Sequence, residues 1–153
     1  MLRYGTTSTG NLMLGDWVTV RRAKGSPRMT VRVGELTHDF VTSCTGDSFY
    51  DCYVEPVALT DTMLSDNGFA YRYIGRTSPR EEGTMVEYSA WDMLFFTVIQ
   101  RLDLESGEIR FFWETPGSHG FVCELNYVHE LQHAMKIAQV EKEIKIKDNQ
   151  QLQ

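Results

Sequence analysis

The stretch His129-Glu130-Leu131-Gln132-His133 holds the most concentrated chemistry in this 153-residue chain. On a helix, histidines four residues apart share a face and can hold one zinc ion. The glutamate between them can act as general base on a metal-bound water. His129 and His133 are therefore the candidate metal ligands, and Glu130 the candidate catalytic base. A catalytic zinc also needs a third protein ligand and an open position. The Gly and third His that commonly extend this pattern are absent, because Ala134-Met135-Lys136-Ile137-Ala138-Gln139 follows. Glu141 and Glu143 downstream, and His119 and Cys123 upstream, are the remaining third-ligand candidates. Only 20 residues follow His133, fewer than the downstream half of a zincin.

The helix that must carry this motif is well patterned. Asn126 is an acceptable N-cap, and residues 127–140 have helical period. With Leu131 at zero on a 100° wheel, Tyr127, Val128, Ala134, Met135 and Ala138 fall within about 60° of it. The two histidines fall at about 160° and −160°, opposite this apolar stripe. The pattern favours a core-packing helix with solvent-facing histidines. Zinc hydrolysis is the alternative, and a structural or adventitious metal site comes third. No cofactor is expected, with zinc as the possible exception.

Other constellations are smaller. Arg21, Arg22, Lys24 and Arg28 cluster around Gly25-Ser26-Pro27, a loop between two strands. They read as a solvated hairpin tip, or alternatively as a phosphate-contacting loop in a protein that sequesters a nucleotide. His38-Asp39 reads as a turn. Cys44 and Cys52 could approach across a hairpin, but Cys123 has no evident partner. All three read as small buried hydrophobes. An odd cysteine count with no CxxC pair argues against a disulfide framework and for a reducing cytoplasm.

Composition bounds the rest. The chain is 42% hydrophobic and 12% aromatic, as expected of a folded domain. No apolar run approaches a membrane span, and the first eight residues show no apolar leader core. The net charge of −6 is uneven. Residues 1–60 and 126–153 are each neutral, while residues 61–125 hold 5 basic and 11 acidic side chains. That balance argues against nucleic acid and membrane as partners and for a protein partner facing the acidic middle.

The element pattern predicts an α+β chain of one compact domain, with two halves, 12–69 and 70–140, and mobile ends at 1–11 and 141–153. The first half reads as a small SH3-like β unit, with strands over 16–22, 29–33 and 49–54, the last stopped by Pro56. A short helix follows, with Thr60 as N-cap, a Leu59–Leu64 staple, and a left-handed stop at Asn67-Gly68 that lets Phe69 fold back. The second half has a short strand over 85–89, a long strand over 94–104 covered on both faces, a turn at 105–108 and a hairpin partner over 109–114. Residues 121–125 add a further strand, and the C-terminal helix packs this group. The aromatics Tyr50, Tyr53, Tyr71, Tyr73, Phe111, Phe112 and Trp113 are assigned to core and sheet faces, and any that share an exposed face would make a binding surface.

Four pieces in order resemble a family of short uncharacterised proteins common in Bacteroidetes genomes, prophages and phages. They are Leu14-Gly15-Asp16-Trp17-Val18, Val54-Glu55-Pro56-Val57-Ala58-Leu59-Thr60, Asn67-Gly68-Phe69, and Tyr127-Val128-His129-Glu130-Leu131-Gln132-His133-Ala134. The resemblance implies a structural role for the last helix and an origin in a mobile element. The function expected is a non-enzymatic binding or adaptor protein acting on a host factor in the bacterial cytoplasm.

Overall fold

The computed structural model describes residues 3–4, 12–22, 26–36, 40–50, 52–77, 83–114 and 121–146. The chain is α+β and forms two compact units. Unit 1 takes Met1–Ala58, Tyr127–Gln132 and Lys145–Gln153, and unit 2 takes Leu59–Asn126 and His133–Ile144.

Unit 1 is built on strands β1 (Arg3–Tyr4), β2 (Trp17–Arg21), β3 (Met29–Leu36), β4 (Phe40–Ser43), β5 (Ser48–Tyr50) and β6 (Tyr53–Pro56). They lie in the order β1-β6-β2-β3-β4-β5. All neighbours are antiparallel except β1, which runs parallel to β6. The core is a set of valines, Val18, Val20, Val31, Val33, Val41 and Val54, joined by Cys52. The alternation over 29–33 points to Val31 and Val33 among them, whereas Met29 of the same pattern is exposed. A bulge falls between Val33 and Glu35, at Gly34. A Cβ there would lie 2.9 Å from the Ser43 carbonyl oxygen, so only glycine lets β3 and β4 approach.

Residues 49–54, read as one strand, form parts of two. Phe49 packs against the core, and so do Cys52 and Val54. Positions 49 and 52 have opposite parity, which an unbroken strand cannot turn to one face.

Unit 2 begins with helix α1 (Asp61–Asp66). Its caps match the sequence pattern. Thr60 Oγ1 accepts from the Met63 N–H at 3.2 Å. Gly68 takes φ +87°, and the Phe69 N–H reaches back to the Leu64 carbonyl at 3.1 Å. Leu59, Leu64 and Phe69 are all buried. Strands β7 (Ala70–Thr77), β8 (Val86–Met93), β9 (Phe96–Asp103), β10 (Ile109–Glu114) and β11 (Phe121–Leu125) then form an antiparallel meander in the order β11-β10-β9-β8-β7. The register puts Trp91, Val98 and Trp113 in line across one face, with Phe96 stacked on Trp113. Phe69 meets Phe96 edge-on at 6.3 Å between ring centres, so the residue that stops α1 also fills this core.

Here the expected strand over 94–104 is corrected. Leu94 and Phe95 are the two-residue tip of the β8–β9 hairpin, closed by the Met93–Phe96 pair. They are 84% and 53% exposed, not covered on both faces. The tip has no Asn, Asp or Gly, so the usual turn signal is missing. The expected short strand over 85–89 extends through Met93 for the same reason.

Helix α2 (Val128–Ile137) is the last element. Among the described residues no helix is long and apolar enough to cross a membrane.

Candidate functional site

Helix α2 starts one residue later than Asn126 as N-cap would place it. Glu130 takes over the capping role: its Oε1 accepts the Tyr127 N–H at 3.0 Å. This is the returning arm of a capping box, with Glu at the third helical position. The side chain proposed as a base is thus engaged by the helix's own backbone.

The wheel places both histidines opposite the core, and the structure corrects this for His129. It is 1% exposed. The first turn of α2 is tied by its backbone to the segment after β6. The Val128 N–H donates to the Val57 carbonyl at 2.8 Å, and Tyr127 bridges to Ala58. The Tyr127 ring lies parallel to the His129 ring with centres 5.7 Å apart. A single-stripe wheel assumes one buried face, and this turn has more than one. His133 is half-buried. The predicted stripe itself holds, with Val128, Leu131, Ala134 and Met135 all buried.

Among the described residues no group of three His, Cys, Asp or Glu side chains comes together to hold a metal. Glu141, Glu143 and Cys123 are exposed, and His119 lies outside the described residues. Gln132, the unassigned member of the motif, does most in the structure. Its Oε1 accepts from the Trp17 N–H and its Nε2 donates to the Gly15 carbonyl, each at 3.0 Å.

The basic cluster is partly assembled. Arg21 pairs with Glu55 on β6, and its guanidinium sits 5.5 Å from the Tyr53 ring centre. Arg28 Nε lies 3.7 Å from the same Glu55 carboxylate. Arg22 is exposed, while Lys24 and the pair His38-Asp39 lie outside the described residues. Glu55 follows from β6 pairing with β2, which no local pattern signals. Of the cysteines, only Cys52 is buried as expected. Cys44 and Cys123 are exposed.

The feature that sequence reasoning missed is an apolar corner of unit 2. Leu94 takes φ +54°, in the left-handed region. In a two-residue hairpin whose first position alone has positive φ, that place ordinarily belongs to glycine. Next to this hairpin runs β7, the outer strand of the sheet, with Tyr71, Tyr73 and Ile74 each at least 50% exposed. Tyr71 packs edge-on against Trp91 at 5.1 Å and shares a hydrogen bond with Ser89, so its ring is held in place. The arginines of β7 are neutralised from β8: Arg72 by Asp92 and Arg76 by Glu87. The run Leu94-Phe95-Phe96 reads as strand interior in the sequence, and Tyr71 and Tyr73 are among the aromatics whose sharing of an exposed face would mark a binding surface.

Comparison with known proteins adds no assignment: no family model matches the chain, and neither a curated protein nor a solved structure matches it.

Proposed function

We propose that this chain is a non-enzymatic binding protein of phage or mobile-element origin, which engages a basic protein partner in the cytoplasm of a bacterial host through unit 2. The observation that carries this reading is the hairpin tip, where Leu94 combines a strained backbone with 84% exposure. A bulky residue kept where glycine would be easier serves something other than stability. Phe95 at the tip and Tyr71, Tyr73 and Ile74 on the outer strand β7 add exposed apolar surface of the kind that marks protein contacts. Charge supports a basic partner. Unit 1 holds eight basic and eight acidic residues, whereas unit 2 holds seven and thirteen, so the whole −6 falls in unit 2. The strand order β6-β2-β3-β4-β5 also supports reading unit 1 as SH3-like, since its last strand returns beside its first.

The test pairs affinity capture from host lysate with Leu94→Gly. Relieving the positive φ stabilises the protein by about 1 kcal/mol while removing the apolar tip. The expected result is a higher melting temperature together with loss of the captured partner. A stabilised variant that captures as well as the parent would overturn the proposal.

A further inference from the structure

Unit 1 contains a cleft of about 380 Å³, within the range of small-molecule sites. We propose that it binds a free aromatic amino acid. One wall is Trp17, with the Arg32 guanidinium 6.0 Å from the indole ring centre. This wall is fixed from behind. The Gly15 carbonyl accepts from Arg32 Nε at 3.2 Å and from Gln132 Nε2 at 3.0 Å, while Gln132 also holds the Trp17 N–H. Gly15 itself takes φ +89° and donates its N–H to the Val33 carbonyl at 2.6 Å. A wall supported in this way is preorganised, which lowers the ordering cost of binding.

The second lining stretch is the turn between β4 and β5. The Asp47 N–H donates to Ser43 Oγ at 3.1 Å, and Asp47 Oδ2 accepts from Thr45 Oγ1 at 3.3 Å. Asp47 and Cys44 both line the cleft and are exposed. Met29 and Ile146 complete the apolar lining.

The ligand class follows from these groups. Among the described residues the lining carries one cation, Arg32, and one anion, Asp47, a balance that suits a zwitterion. Arg32 offers the planar fork that matches a carboxylate, and Asp47 offers a carboxylate to an ammonium group. The Trp17 indole, with the Arg32 guanidinium already on one face, favours a flat ring packed beside it over an aliphatic chain. A nucleotide fits less well, because its phosphates would face Asp47 with Arg32 as the one cation among the described lining residues.

The cysteines supply the readout. Cys44 lines the cleft, Cys123 is exposed in unit 2 as an internal control, and Cys52 is buried. Alkylation of each thiol by iodoacetamide would be timed by peptide mass spectrometry with L-tryptophan, L-phenylalanine, L-leucine or indole present. At ten times its dissociation constant, the bound ligand slows Cys44 about tenfold by mass action. The expected result is slowing of Cys44 but not Cys123 by L-tryptophan or L-phenylalanine. Indole, which lacks both charges, and L-leucine, which lacks the ring, protect far less. Asp47→Asn, at an exposed position and nearly the same shape, keeps the fold and loses the protection. Unchanged Cys44 rates with both aromatic amino acids would overturn the proposal. Equal protection by indole or L-leucine, or full protection in Asp47→Asn, would also overturn it.

Discussion

Gln139 and Leu94 are the two non-glycine residues with positive φ among those described, and they differ in kind. Gln139 lies just past α2, where the Val140 N–H returns to the Met135 carbonyl at 2.8 Å and the Gln139 N–H to that of Lys136 at 3.1 Å. That is a Schellman ending with glutamine in the left-handed position glycine prefers. Gln139→Gly should therefore stabilise the chain by about 1 kcal/mol, read from the urea midpoint at constant slope. Glu130 gives a second residue-scale prediction. If its main task is the cap on Tyr127, Glu130→Ala costs about 1 kcal/mol, and Glu130→Gln, which can still accept the same N–H, costs much less. Equal losses in the two variants would remove the capping role. The cap was hidden in the sequence because the same glutamate also completes the His-Glu-x-x-His pattern. Spacing alone cannot tell whether a carboxylate three residues into a helix turns to the backbone or to a metal.

At the scale of elements, unit 2's sheet is laced across its strands by Arg72–Asp92, Arg76–Glu87 and Arg110–Glu124. The hydrogen bond from Arg72 holds the Asp92 carboxyl below its ordinary 3.8, and Arg110 does the same for Glu124 below its ordinary 4.5. A carboxyl with a depressed folded pKa stabilises the fold fully above its unfolded pKa. That contribution fades as pH falls through the lower folded value. The melting temperature should therefore drop on acidification below about pH 4.5. Asp92→Asn should flatten that drop, and the gap between it and the parent should narrow as pH falls. A gap that stays constant with pH would show that Asp92 stabilises by packing rather than charge. None of these pairs could be read from the sequence, since each joins residues 11 to 20 positions apart through strand register. What could be read was local. Both caps of α1, the β9–β10 turn and the extent of β10 depend on neighbours in sequence. The elements misplaced were those where local chemistry and tertiary pairing disagree: the hairpin tip at Leu94-Phe95 and the parity break between Phe49 and Cys52.

For the whole molecule, α2 is the element both units share. Its residues through Gln132 belong to unit 1 and those from His133 to unit 2. The burial follows this division, with Val128 and Leu131 in the first part and Ala134 and Met135 in the second, none more than 3% exposed. The buried stripe thus runs unbroken through both parts of the helix, and a charge placed in it should destabilise the helix. Leu131→Asp places a carboxylate where the side chain is 2% exposed, at a cost of about 4 kcal/mol or more. Lys136→Ala, on the exposed side of the same helix, should stay within about 0.5 kcal/mol of the parent. Amide hydrogen exchange separates the units, because Val18 and Val31 report on unit 1 while Ala90 and Ile99 report on unit 2. If the helix couples the cores, Leu131→Asp speeds exchange at all four amides although the substitution lies in unit 1. Acceleration confined to Val18 and Val31 would mean that α2 frays at the junction and that the two cores open independently.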